Sequence, residues 1–242
     1  SVGYYYKPDH RIRNNDVAIF NNNTEEYIRK QVLEREKVYK AQKRTILVEG
    51  VGINDSDGMT SCWYVNLEGK KTKWFCPVYR VWQSMLNRCY NASFLEKNLT
   101  YNGCSVHSDW HSFMNFKKWM LTQDWQGNHL DKDLLVPGNK EYSADTCVFL
   151  PRHINLFMCD AGAIRGECSL GVMKTARHAN SSKPYTARIT NTRAGITEWL
   201  GRYATDAEAH SAWKKRKHEL AVELSKTVTD PRIINALITR YI

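Results

Sequence analysis

The chain has no apolar run near the ~18 residues that a membrane-spanning helix needs. Its first residues, SVGYYYKPDHRIRNND, hold no apolar stretch of the kind a secretory signal carries. It also has no Cys-x-x-Cys pair. Its seven cysteines are Cys62, Cys76, Cys89, Cys104, Cys147, Cys159 and Cys168, odd in number and irregular in spacing. A disulfide scaffold is smaller and denser in cysteine, and a zinc finger needs closer Cys/His spacing. These thiols are expected to be reduced, in a cytoplasmic protein, and packed as small apolar residues. Acidic residues are in deficit: 25 Asp and Glu face 35 Lys and Arg, a net charge of +10 over 242 residues. A surplus of that size points to a polyanionic partner, most often nucleic acid. With 42% hydrophobic and 25% charged residues, the composition excludes a wholly disordered chain.

Residues 1–45 read as a polar arm followed by a charged helix. TEEYIRKQVLEREKVYKAQKR, residues 24–44, carries only a thin apolar stripe, with Thr24 as N-cap and Glu26 placed to reach Arg29 or Lys30. The arm is either a solvated spacer, a strip lying along nucleic acid, or a contact for a protein partner. From Thr45 the texture changes. ILVEGVGI reads as a strand, and SCWYVNLEGKKTKWFC as two short strands around Glu68 and Gly69. Pro77 opens a helix whose Val78, Val81, Trp82, Met85, Leu86 and Cys89 share one face. Arg80 and Arg88 on that helix can reach phosphates, but rank no higher than surface residues. A second helix is expected from about Asp109 to Leu121, with Trp110, Phe113, Phe116, Trp119 and Met120 turned to the core.

The segment HLDKDLLVPGNKEYSADTCVFLPRHINLFMC, residues 129–159, reads as strand, loop, strand and helix. The first strand is expected over Leu130 to Val136, the second over Thr146 to Leu150, and the helix from Arg152 to Cys159. Asp131 and Asp133 lie on or beside the first strand, and Asn155 on the helix. Two carboxylates and an amide carbonyl suit a hard cation such as Mg²⁺, which keeps several waters and joins a phosphate. By spacing alone, Asp-Lys-Asp reads equally as a solvated turn, and Asn155 as a helix cap or surface residue.

LDKDLLVPGNKEYSADTCVFLPRHIN resembles the phage-type HNH homing endonucleases. So do Cys76-Pro77-x-Tyr79-x-x-Trp82-x-x-Met85-Leu86-x-Arg88-Cys89-Tyr90 and Cys104-x-Val106-x-x-x-Trp110-x-x-Phe113-x-x-Phe116. The resemblance spans roughly residues 46 to 225. It implies a ββα-metal nuclease fold in which Asp131 and Asn155 hold Mg²⁺ or Mn²⁺, with Asp133 as a further ligand candidate. It also exposes a departure. The family's general base is a histidine, and Lys132 stands at that position. A lysine at its usual pKa of ~10.4 cannot accept a proton at neutral pH. His129 or His153 can replace the base, a metal-activated water can dispense with one, or the chain is an inactive nuclease kept as a binder. Lys132 can instead contact a phosphate or stabilise transition-state charge.

The C-terminal part opens with Leu170-Gly171-Val172. Strands follow at Lys183 to Ile189 and Ile196 to Trp199, then the capping-box pattern Thr205-Asp206-Ala207-Glu208 and a helix burying Ala209, Ala212, Trp213, Leu220 and Leu224. Its Gly171-Val172 start, Tyr185-x-Ala187-x-Ile189, Leu200-Gly201-x-Tyr203 and alanine-rich helix are similar to the AP2 DNA-binding domain. That resemblance implies a sheet laid in the major groove, with Lys174, Arg177, Lys183, Arg188, Arg193, Trp199 and Arg202 as contact candidates. Residues 162–226 carry twelve Lys and Arg against six Asp and Glu. Lys214, Lys215, Arg216 and Lys217 read as a solvated helix face. Ile233, Ile234, Leu237 and Ile238 in the tail have helical spacing and are expected to pack on the body.

The expected fold class is α+β: a ββα-metal (HNH-like) nuclease core plus a small three-stranded-sheet-and-helix AP2-like domain. The expected division is an arm and helix (1–45), a nuclease domain (46–161), an AP2-like domain (162–228) and a helical tail (229–242). The expected function is a metal-dependent endonuclease of homing type, nicking or cutting double-stranded DNA. If phage-encoded, it acts in the host bacterial cytoplasm. The alternatives are an inactive DNA-binding regulator or inhibitor on the same scaffold, and an adaptor that captures a protein through its arm.

Overall fold

The structure, a computed structural model, describes residues 47–56, 58–66, 69–159, 167–174 and 181–242. The expected N-terminal arm and helix, and Arg177, lie outside the described residues. The fold is mixed α+β with small sheets, and no described helix is long and apolar enough to cross a membrane. The chain divides into two compact units. One holds the described residues up to Gln126 together with Lys140–Asp145; the other holds Gly127–Asn139 and Thr146–Ile242.

In the first unit, β1 (Ser61–Val65) and β2 (Lys71–Phe75) form an antiparallel ribbon around Gly69, whose φ of 75° suits the turn. Helix α1 (Pro77–Tyr90) follows, with Pro77 in its first turn, where the missing N–H costs nothing. Of its expected apolar face, Val78, Trp82, Met85, Leu86 and Cys89 are buried, while Val81 is only half-buried. The indole N–H of Trp82 donates to the Trp110 carbonyl at 2.7 Å, which satisfies the one polar atom of that ring. Gly52 is required beside it, since a Cβ there would run into Leu86 and Trp82.

Helix α2 (Ala92–Lys97) and strand β3 (Ser105–Val106) lead to the second expected helix, which is interrupted. A 3₁₀ turn at Ser108–His111 buries Trp110, and Ser112 then caps α3 (Phe113–Met120) by accepting from Asn115 N. The expected strand ILVEGVGI is absent from the described residues. Glu49 (φ 50°) and Gly50 (φ 77°) turn the chain back, leaving isolated bridges Val48 to Gly52 and Ile53 to Ser112.

In the second unit, β4 (His129–Asp131) pairs antiparallel with β6 (Val148–Leu150), and α4 (Arg152–Met158) follows and lies against β4. The loop between these strands gives β5 (Glu141–Tyr142) to the first unit, parallel to β3. The expected strand–loop–strand–helix order is therefore observed, but β4 stops at Asp131 instead of running to Val136. Strands β7 (Val172–Lys174), β8 (Tyr185–Asn191) and β9 (Ile196–Tyr203) form an antiparallel sheet. Helix α5 (Asp206–Ser225) packs on it, and α6 (Pro231–Thr239) packs on α5.

The capping box closes as read. Thr205 accepts from Glu208 N, and the Glu208 carboxylate accepts from Thr205 N. Gly171 is needed because a Cβ there would meet the Trp213 ring. One buried cluster joins Leu134, Val148, Leu150, Ile154 and Phe157 to Ile189, Trp213, Leu220, Leu224, Ile233 and Leu237. The expected boundary near residue 161 falls in a segment outside the described residues, and the core is continuous across it.

The basic run on α5 is not uniformly solvated. Lys214 and Lys215 are exposed, but Arg216 reaches Glu198, Glu219 and Glu223. Lys217 is buried at 6% exposure among Phe157, Trp213 and Tyr241. Its long stem crosses the apolar core to a waiting carbonyl, which helical spacing alone does not reveal.

Candidate functional site

Asp131 ends β4, and its own carboxylate is the reason. Oδ1 accepts from the backbone N–H of Asp133 (2.9 Å) and of Leu134 (2.7 Å), so the side chain captures amides that a strand would have offered to a neighbour. Leu134 is thereby turned into the core. Among the described residues, Oδ2 accepts no hydrogen bond. Burial pushes the Asp131 pKa above the ordinary carboxylate value, against the opposing pull of the two amides. A carboxylate with one oxygen pinned and the other without a hydrogen-bond donor can bind a hard cation in monodentate fashion.

Lys132 points the other way. Its side chain is 7% exposed, and Nζ donates to Asp133 Oδ1 (2.6 Å) and to the Asn139 carbonyl (2.7 Å). Asn139 Nδ2 returns a bond to the Lys132 carbonyl at 2.9 Å. These bonds close the loop after β4 on itself. Lys132 is thus an internal strut, and the reading of it as a phosphate contact meets a side chain withdrawn from solvent. Asp133 is half-exposed with Oδ1 engaged, and its carbonyl accepts from Arg240 Nη1.

Asn155 lies on α4, off the stripe formed by the buried Ile154 and Phe157. Its side chain makes no hydrogen bond with another described residue. Asp131 and Asn155 therefore stand on adjoining elements, β4 and α4, each with an oxygen of the type Mg²⁺ accepts that has no partner among the described residues. No cluster of three or more His, Cys, Asp and Glu side chains fit for a metal occurs among the described residues. A cation here would take one carboxylate and one amide oxygen from the protein, the rest from water and phosphate. Of the two histidines considered as replacement bases, His129 is exposed on β4. His153 has a buried Nε2 with no partner among the described residues, while its carbonyl accepts from Thr192 Oγ1 at 2.8 Å.

The sheet gathers several of the basic candidates. Arg188 pairs in register with Trp199, and Thr190 with Thr197. Beyond them Ala187 pairs with Gly201 and Thr186 with Arg202, so Leu200 is an extra residue on β9, a β-bulge. Strict alternation would put Trp199 and Arg202 on opposite faces. The bulge shifts the phase, so Arg202 shares a face with Arg188 and Trp199, while Leu200 turns to the core. Trp199 is 63% exposed, and both arginines are exposed. The only carboxylate on these three strands, Glu198, faces the other way. Arg216 grips it at 2.7 and 3.0 Å and holds its pKa below the ordinary value.

Three other candidates stand apart from that face. Lys174 is on edge strand β7, with Nζ 5.5 Å from the Tyr185 ring centre. Lys183 is exposed just before β8, and Arg193 is exposed in the β8–β9 turn. Sequence reasoning missed the bulge, the Lys132 strut and the burial of Lys217. Only the glycine after Leu200, at φ 121°, hinted at the first. Compared with protein-family models, curated proteins and solved structures, the chain matches none.

Proposed function

We propose that the protein is a metal-dependent endonuclease acting on double-stranded DNA. The observation that carries the reading is Asp131: one carboxylate oxygen is fixed by two backbone amides, and neither its other oxygen nor the Asn155 side chain on the helix that follows the hairpin has a hydrogen-bond partner among the described residues. These two side chains would hold Mg²⁺ or Mn²⁺. The ion would polarise the scissile phosphate and neutralise charge on the leaving oxygen. Arg188 and Arg202 meet DNA phosphates or guanine edges, and Trp199 packs on the groove wall. Of His129 and His153, the exposed His129 is the candidate proton acceptor.

The test is plasmid nicking in Mg²⁺ against EDTA. Asp131→Ala and Asn155→Ala are expected to lower cleavage to background while duplex binding in a gel shift stays unchanged. Cleavage that survives in both variants removes the site.

One observation favours a second reading, a DNA-binding protein without catalysis. The position where the resemblance expects a base holds Lys132, which is buried and occupied by Asp133 and Asn139. A wild-type protein that binds duplex DNA with steep salt dependence and never nicks it in Mg²⁺ or Mn²⁺ would establish that reading.

A further inference from the structure

The β1–β2 ribbon has two unlike faces. Cys62, Tyr64 and Trp74 are buried on one. On the other, Trp63 pairs in register with Lys73, Val65 with Lys71, and Ser61 with Phe75. Trp63 is 47% exposed, and both lysines are exposed.

Cations and rings alternate across this face. Lys71 Nζ and Lys73 Nζ stand 5.4 and 5.9 Å from the Trp63 ring centre. Lys73 Nζ is also 4.6 Å from the Phe75 ring, and the Arg80 guanidinium, on the exposed side of α1, is 5.2 Å from it. Among the described residues, none of Lys71, Lys73 and Arg80 pairs with a carboxylate. Two arginines elsewhere show the contrast: Arg216 is paired with three glutamates and Arg232 with Asp230.

Three clustered positive charges with no counter-charge among the described residues repel one another, so the face favours a polyanion. The rings narrow the choice. A duplex hides the faces of its bases and would engage the cations alone. An unpaired strand offers both phosphates and base faces, and sites for such strands combine a basic track with aromatic platforms. Cation–ring contacts at an exposed site are weak, so the lysines can swing from Trp63 to phosphates as a base takes their place.

We propose that the face formed by Trp63, Lys71, Lys73, Phe75 and Arg80 binds an unpaired DNA strand, with Trp63 stacking on a base and the three cations meeting phosphates. The choice of DNA over RNA rests on the nuclease reading; the unpaired-strand geometry does not. The experiment measures the full chain in EDTA, so that cleavage plays no part. Its probes are a mixed-sequence single-stranded DNA oligonucleotide, its duplex and its RNA counterpart, across a range of salt.

Trp63→Ala is expected to weaken single-strand binding about tenfold and leave duplex binding unchanged. Trp63→Phe, which keeps a ring, is expected to restore most of the loss. Lys71→Gln with Lys73→Gln is expected to flatten the single-strand salt dependence by about 1.4 in log–log slope, at ~0.7 per phosphate. Wild-type single-strand affinity in Trp63→Ala overturns the proposal. So does an equal loss on the duplex, or tighter binding of the RNA than of the DNA strand. Failure of the nuclease reading appears elsewhere, as a wild-type chain that does not nick plasmid in Mg²⁺, and leaves these affinities as they are.

Discussion

Lys217 Nζ on α5 donates a hydrogen bond to the carbonyl of Phe157, in the last turn of α4, and stands 3.6 Å from the centre of that residue's ring. The other end of α4 is also tied: Thr192 in the β8–β9 turn donates to the His153 carbonyl. The short helix that carries Asn155 is thus fastened at both ends by the sheet-and-helix part of the same unit. Helix carbonyls at a C-terminus lack intrahelical donors, and a lysine there supplies both a donor and a favourable charge.

Lys217→Met keeps the apolar stem and removes the ammonium, leaving the Phe157 carbonyl buried without that donor. A loss of about 1–3 kcal/mol is expected, read as a lower urea midpoint at unchanged slope. Amide exchange in residues 154–158 is expected to accelerate more than in α1. Uniform acceleration would mean that the contact does not act on α4.

Asp131 gives a pH prediction. Burial raises its folded pKa above the unfolded value, so the folded state favours the protonated form. Stability is then highest below the unfolded pKa of about 3.9 and falls as pH rises through the folded value. Asp131→Asn keeps an oxygen for the two amides and removes the charge. Its melting temperature without metal is expected to exceed that of wild type at neutral pH, with the gap closing below pH ~3.9. A melting temperature lower than wild type at pH 7 would contradict this.

The sheet face should separate charge from shape. Arg188→Ala is expected to weaken duplex DNA binding and to lower the salt slope by about 0.9, if it meets one phosphate. Trp199→Ala is expected to weaken binding with the slope unchanged. Anisotropy titrations at several salt concentrations decide it, and an unchanged affinity in both variants removes the sheet from the interface.

Thr205→Ala breaks the capping box of α5 at an exposed site. It is expected to cost about 1 kcal/mol and to leave DNA affinity intact. Denaturant unfolding checks the first part and a gel shift the second.

Much of the architecture was legible in local pattern. The face of α1, the ribbon around Gly69, the capping box at Thr205 and the strand–loop–strand–helix order all follow from spacing of a few residues. The strand expected at ILVEGVGI failed because Glu49 and Gly50 turn the chain back, and two other elements failed where a polar side chain competed with the backbone. Asp131 cut β4 short by taking two amides, and Ser112 split the helix that follows Trp110. Of the candidate site, Asp131 and Asn155 were readable as residue types. The engagement of Lys132 was not, because its partner Asn139 is seven positions away through a loop of irregular shape.

The amino-acid sequence by itself determined the α+β character, the surplus of positive charge and the periodic faces of the helices, because each depends on residue type and short-range spacing. Tertiary structure alone decided which polar groups are spent and which are free. It sent Lys217 into the core, withdrew Lys132 into its loop, and used the Leu200 bulge to bring Arg202 to the side of Trp199. The reason is physical: whether a charge is buried, paired or open to solvent depends on neighbours that the chain brings together only by folding.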